Sequence, residues 1–406
     1  MEQIIAPLPR ISIQAFCETQ ETTSVIQAVA EDRRAERAHI KVQMGGAEAA
    51  AEAYRNASSP NVIVIEMNGS PEIFLGCLDR LAESCDPATK VLVVGHTNDV
   101  LLYRELMRRG VSDYLISPLS LVDCIRALSE IFNAPSAEPV GRTVAVIGAK
   151  GGVGASTIAH NFAWTVSESF DVQTAIADLD LAFGTVGLDF NQDPAQGIAD
   201  AVFANDRLDG NLVERLLTKC TDRLSILAAP ATLERTYDFT ESSFDGTLEI
   251  LRASVPCIVL DMPHAWTAWS RRLLFAADEI VIVATPDLAN LRNAKNLSDE
   301  AQKFRPNDHK PHLVLNQVGM AKRPEIAISD FCKAIDLETT AVIPFDANLF
   351  GTAANNGQMI AEVQAKGKTA EALMELGRKV TGRVEVKAGR RSMLDPLLSK
   401  FQRKKA

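Results

Sequence analysis

The segment Gly148-Ala149-Lys150-Gly151-Gly152-Val153-Gly154-Ala155-Ser156-Thr157 restricts the fold of this chain more than any other. The apolar run Val144-Ala145-Val146-Ile147 leads into it, and the helix-like run Ile158-Ala159-His160-Asn161-Phe162-Ala163 follows. Strand, glycine loop and helix in that order let several backbone N–H groups converge on one anion, with the positive end of the helix behind them. The common form of such a loop is G-x-x-x-x-G-K-[S/T]. Gly148, Gly154 and Ser156 fit it, but Ala155 stands in the lysine position, and a different lysine, Lys150, lies early in the loop. The pattern predicts a nucleotide-phosphate site that lacks the usual cation against the β- and γ-phosphates.

A chain of 406 residues exceeds one ordinary core. Apolar, strand-sized runs alternate with helical patterns on both sides of the proline-containing stretch Asn133-Ala-Pro-Ser-Ala-Glu-Pro-Val-Gly141. The expected organisation is one unit over 10–132, a linker over 133–141, a second unit over 142–382 and a basic tail over 383–406. In the first unit, strands are predicted at 10–16, 61–65, 90–94 and 113–116, with helices over 24–36 and 100–109. In the second they are predicted at 143–147, 174–177, 224–227, 257–260, 279–284, 312–315 and 341–343. Such alternation implies an α/β fold with two doubly wound parallel sheets.

The net charge of −10 argues against a surface that binds nucleic acid throughout, and no specific nucleic acid is expected. The apolar runs are far shorter than the roughly 20 residues of a membrane helix. The start MEQIIAPLPR lacks a signal-peptide pattern. The seven cysteines are scattered without a C-x-x-C pair. A reduced, cytoplasmic protein is therefore expected.

Carboxylates mark the ends of two predicted strands. Asp178 and Asp180 sit at i and i+2 after Thr174–Ala177, and Asp261 terminates the run Cys257-Ile-Val-Leu260. Strand ends at one sheet edge are where open α/β folds bind ligands. With Lys150-Gly-Gly-Val-Gly154, these stations resemble the MinD/ParA family of nucleotide-binding ATPases. The resemblance implies ATP and Mg²⁺ as cofactors, held by Gly148, Lys150, Gly151, Gly152, Val153, Gly154, Ala155, Ser156 and Thr157. It implies that Lys150 reaches the phosphates of a partner subunit in a nucleotide-sandwich dimer and that Asp180 orients the attacking water. Mg²⁺ falls to Ser156 directly and to Asp178 and Asp261 through water. Asn316 is expected to read adenine, with Pro344, Phe345 and Asp346 lining it. Ala155 implies slow or no turnover.

The first unit resembles the receiver domain of response regulators, including the ending Asp113-Tyr-Leu-Ile-Ser-Pro118. Receivers use paired acids, an acceptor aspartate and a lysine. Here the corresponding positions hold Cys17-Glu18, Glu66 and Ser117. Phosphorylation is not expected, and Glu66 without a role reads as a strand-end carboxylate in solvent. A degenerate receiver joined to such a loop domain resembles the CpaE/TadZ group of pilus assembly proteins. That implies a cytoplasmic, polar localisation and scaffold factor for tight-adherence (Flp, type IVb) pili, with a secretion ATPase and other assembly proteins as partners. The basic tail is a candidate membrane contact through Leu394, Leu397, Leu398 and Phe401. Two other readings share the motifs: a positioning ATPase stimulated by a partner, and a response regulator with an ATPase-like output.

Overall fold

The structure is a computed structural model that describes residues 5, 7–9, 11–55, 57–132, 141–204, 207–230 and 232–383. All but the last residue of the expected linker, and all but the first of the expected tail, lie outside these residues.

The first sheet is built from β1 (Ser12–Cys17), β2 (His39–Met44), β3 (Val62–Met67), β4 (Lys90–Gly95) and β5 (Asp113–Ile116). They lie in the order β2-β1-β3-β4-β5, with every pair parallel. The second sheet contains β6 (Arg142–Gly148), β7 (Thr174–Asp178), β8 (Thr218–Lys219), β9 (Leu224–Leu227), β10 (Cys257–Asp261), β11 (Glu279–Ala284), β12 (His312–Val318) and β13 (Thr339–Pro344). Its order is β13-β12-β11-β6-β10-β7-β9-β8, parallel except for the short edge strand β8. The predicted doubly wound α/β class is what forms.

Three elements differ from the sequence expectation, the first being the two-residue edge strand β8, which is absent from the predicted strands. The strand β2 was not predicted. It is an edge strand whose side chains are exposed or half-buried, so its sequence HIKVQM lacks the apolar run that marks its neighbours. The helix expected over 24–36 divides into an α-helix, Gln20–Glu31, and a 3₁₀ turn, Arg33–Ala35. Thr19 caps the first by accepting from the Thr22 N–H. Asp32, in extended backbone, ends it and caps the second by accepting from the Arg34 N–H.

Alternation along β6 shows how a central strand feeds two layers. Val144 and Val146 pack with Ile158 and Phe162 on one face. Ala145 and Ile147 pack with Ile258, Leu260 and Ile282 on the other. Burial on both faces explains the continuous apolar reading of β6, β10 and β11. The two units meet through charged groups. Arg33 Nε lies 2.5 Å from Asp308 Oδ2, and Arg272 Nη2 lies 3.1 Å from Glu36 Oε1.

Candidate nucleotide site and its filled counterpart

β6 delivers the glycine loop to the carboxyl edge of the second sheet, between β10 and β11. The chain order reverses there, which opens the crevice used by ligands in this class of fold. Gly152 and Gly154 both have φ of +83°, which curls the backbone in a way a side chain would strain. A helix over Ala155–Trp164 starts directly on Gly154. The N–H groups from Lys150 to Thr157 donate to no protein acceptor among the described residues. A chain of orphaned donors facing a helix start is a fit for an anionic phosphate chain.

Residues that the sequence reading passed over hold this loop in shape. Asn293 Nδ2 donates to Ala149 O at 2.8 Å, and His264 Nδ1 lies 3.2 Å from Gly148 O. Gln317 Nε2 donates to Gly152 O at 3.1 Å. They come from three separate elements, so no local sequence spacing reveals them.

Asn316 is also committed here. Its amide donates to Val153 O at 2.8 Å and accepts from the Gln317 N–H at 2.9 Å. One amide hydrogen that could read a base is thus spent on the loop, and one oxygen lone pair on the neighbouring Gln317 N–H in β12. A Cβ on Gly154 would meet Asn316 Nδ2 at 2.7 Å, so the glycine admits this close approach. Phe345, beside Pro344, is partly exposed. Asp346 caps the helix Ala347–Asn356 by accepting from the Leu349 N–H at 2.9 Å.

Asp178 and Asp261 are directly paired in the β7–β10 register, and both are buried. Burial, with the Asp261 charge adding to it, pushes the Asp178 carboxyl up to about 7. Asp178 accepts from the N–H groups of Asp180 (3.1 Å) and Val186 (3.2 Å). Asp261 Oδ1 is buried with no hydrogen-bond partner. An orphaned carboxylate oxygen near the loop, with the half-buried Ser156 at the helix start, suits the water shell of a magnesium ion. Asp180 is half-buried and accepts from the Phe183 N–H at 3.1 Å.

Behind Asp261 lies His160, fully buried on the helix Ala155–Trp164. Its Nε2 is 3.2 Å from Asp261 Oδ2 and its Nδ1 is 2.7 Å from Asp189 Oδ2. Burial alone would lower its pKa. The two carboxylates outweigh burial and push it up to about 10, so the ring is an imidazolium. Lys150 is exposed and makes no hydrogen bond or ion pair among the described residues.

The equivalent edge of the first sheet is occupied by protein. Glu66, at the end of β3, is not a solvent carboxylate as expected but is 0% exposed. Its Oε2 accepts from the N–H groups of Glu18 (2.7 Å) and Thr19 (2.8 Å). Its Oε1 accepts from the hydroxyls of Thr19 and Thr22, each at 2.7 Å, and lies 3.0 Å from His96 Nε2. Burial alone would raise its pKa, but these hydrogen bonds prevail and hold it below the ordinary carboxylate value. Glu18 in turn accepts from the Asn68 N–H at 3.1 Å.

No family model matches the chain. The septum site-determining protein MinD of Helicobacter pylori is 27% identical over 262 residues, covering 61% of this chain and 94% of that protein. A ParA family ATPase of Chlorobium tepidum is 26% identical, covers 58% of this chain and 98% of that one, and superposes with a TM-score of 0.53. The pilus assembly protein CpaE of Caulobacter crescentus CB15 is 48% identical, with 96% of its chain covered by 31% of this one (TM-score 0.30). This chain belongs to the CpaE-type group of MinD/ParA-like proteins. Its second sheet carries the MinD-like ATPase fold, and the CpaE likeness rests on sequence identity. Among the described residues, no helix is long and apolar enough to cross a membrane.

Proposed function

We propose that this CpaE-type chain is an ATP-binding localisation and scaffold protein for assembly of tight-adherence pili, dimerising through its nucleotide site with slow or no hydrolysis. The observation that carries the reading is the unfilled cradle of N–H groups from Lys150 to Thr157, closed by Ala155 where a lysine is usual. Backbone donors and the helix start suffice to hold phosphates. The missing cation removes a charge-assisted contact from the transferring phosphoryl group, which slows turnover more than binding.

In this reading Gly148, Gly151, Gly152, Val153, Gly154 and Thr157 surround the phosphates, and Ser156, Asp178 and Asp261 hold Mg²⁺, the ion that neutralises phosphate charge when bound. Asp178 is pushed up to about 7 in its buried setting, and a cation beside it would favour its ionised form. The imidazolium of His160 holds Asp261 from the opposite side. Lys150, solvent-facing and without a hydrogen bond or close ion pair among the described residues, though within the field of the Asp287 carboxylate, is the cation available to a second copy of the chain. The first unit, proposed over 10–132, serves as a docking module, because Glu66 has no free oxygen to accept a phosphoryl group. The second unit, proposed over 142–382, is the nucleotide switch. The linker 133–141, the tail 383–406 and its membrane contact stay proposals, as do the secretion ATPase, the other pilus proteins and a polar, cytoplasmic location.

A partner-stimulated positioning ATPase is the second reading. Asp180, half-buried just after β7, supports it as the residue that would orient the attacking water.

Sedimentation of the full chain with and without ATP and Mg²⁺, alongside calorimetry and phosphate release, tests both readings. ATP uptake with dimer formation and negligible phosphate release supports the scaffold. Brisk release on adding pilus partners supports the positioning ATPase. Absence of ATP uptake overturns both.

A further inference from the structure

At the end of the second sheet opposite the glycine loop, three metal-ligand side chains converge. Glu279 opens β11 and is completely buried. His309 and His312 lie three residues apart in His309-Lys-Pro-His312, the segment that enters β12. Glu279 Oε2 is 2.6 Å from His309 Nε2 and 3.3 Å from His312 Nε2, and one ligand atom from each residue lies within 4.8 Å of the others. Neighbouring ligands on a tetrahedral ion with bonds of about 2.1 Å stand about 3.4 Å apart. A small outward turn of His309 therefore opens the group around an ion.

We propose that Glu279, His309 and His312 bind a divalent transition ion of the zinc class. Paired imidazoles with one carboxylate select such ions over magnesium or calcium, which prefer oxygen ligands alone. The outer contacts are those a metal site uses to aim its ligands. Thr340 Oγ1 lies 3.2 Å from His312 Nδ1, so Nδ1–H donates to it when Nε2 faces the ion. Arg142 Nη2 donates to Glu279 Oε1 at 2.7 Å, which leaves Oε2 directed at the two rings. The His309 side chain is 41% exposed and gives ions and a fourth, water ligand a route from solvent.

The position gives the site a consequence. Arg305 and Asp308 precede the His-x-x-His stretch, and Asp308 takes the ion pairs from Arg33 and Arg34 of the first unit. An ion holding His309 fixes the segment on which the first unit rests.

The test uses the full chain, stripped with a chelator and titrated with Zn²⁺ against a chromophoric competitor, with Co²⁺ as a visible-absorption probe. The expected result is a single high-affinity ion per chain and a tetrahedral Co²⁺ spectrum. His309→Ala and His312→Ala should each weaken binding at least about tenfold, and Thr340→Val by about tenfold. Circular dichroism checks that each variant is folded. Zn²⁺ binding unchanged in the double histidine variant places the ion elsewhere and overturns the proposal. Absent binding, or a Co²⁺ spectrum that is purely octahedral, reduces the group to an ion-pair cluster and overturns it equally.

Discussion

Both sheets bring their central strands to a loop at a point where strand order reverses, yet the two edges treat polar groups in opposite ways. In the first, Glu66 is surrounded by donors from Glu18, Thr19, Thr22 and His96. In the second, the donors from Lys150 to Thr157 have no protein acceptor among the described residues, and Asp261 Oδ1 has no donor. Buried polar groups are paired unless something outside the chain pairs them. One edge has satisfied itself and become part of the scaffold, while the other is incomplete without a ligand. A shared doubly wound scaffold therefore says nothing about activity until its edge is inspected.

The strongest way to break this contrast is to close the open edge. Gly154→Val must force a β-branched side chain into φ of +83° and against Asn316 Nδ2 at 2.7 Å. ATP affinity measured by calorimetry should fall by roughly 100-fold, about 2.7 kcal/mol, with far-UV circular dichroism unchanged. Retained affinity would mean that the loop is not the site.

The converse change acts on stability. Glu66→Gln leaves several donors facing an amide that cannot accept from all of them, at a cost of about 2 kcal/mol in denaturant unfolding of the first unit. Because folding lowers the Glu66 pKa below the ordinary carboxylate value of 4.5, its contribution is present above that pH and is lost as pH falls through the folded value. The variant should lose this part of the acid sensitivity. Mass spectrometry after acetyl phosphate treatment should find no phosphoryl adduct on Glu66; an efficient adduct would show that the first edge is open after all.

A third change sharpens the contrast by restoring a missing charge. Ala155→Lys places a cation at the start of the helix Ala155–Trp164, beside the proposed phosphates. Tenfold tighter ATP binding, about 1.4 kcal/mol, is expected, with faster phosphate release. Unchanged affinity and turnover would show that Ala155 is not what limits this site.

The sequence made one side of this comparison readable and hid the other. Gly148 to Thr157, Asp178, Asp180 and Asp261 could be located because glycines, carboxylates and apolar strands carry their reasons locally. Class and most strands were legible for the same reason: both faces of β6, β10 and β11 are buried, so the whole run is apolar. The edge strand β2 was invisible because half-wet side chains leave no such run. Glu66 was misread as solvated because its partners lie 44 to 48 residues earlier, in Glu18, Thr19 and Thr22. Asn316 was legible as an amide near the site, but not its bond to Val153 O across 163 residues. Local chemistry is written in the chain; the pairing of distant polar groups appears only when the strands are laid side by side.

The smallest predicted effect probes that distant pairing directly. Asn293, on the helix Leu288–Phe304, touches the loop only through Ala149 O, and does so from a half-buried position. Asn293→Ala removes the neutral hydrogen bond to the loop, worth about 1 kcal/mol, together with an exposed contact from the Arg292 guanidinium to Asn293 Oδ1, and introduces no strain. If the loop is held open for its ligand by this support, ATP affinity should drop by about fivefold, while chemical denaturation barely changes. If Asn293 merely stabilises the fold, the order of effects reverses, and the denaturation midpoint moves while affinity holds. The same measurement on the first edge has no counterpart, since each support of Glu66 is also its ligand.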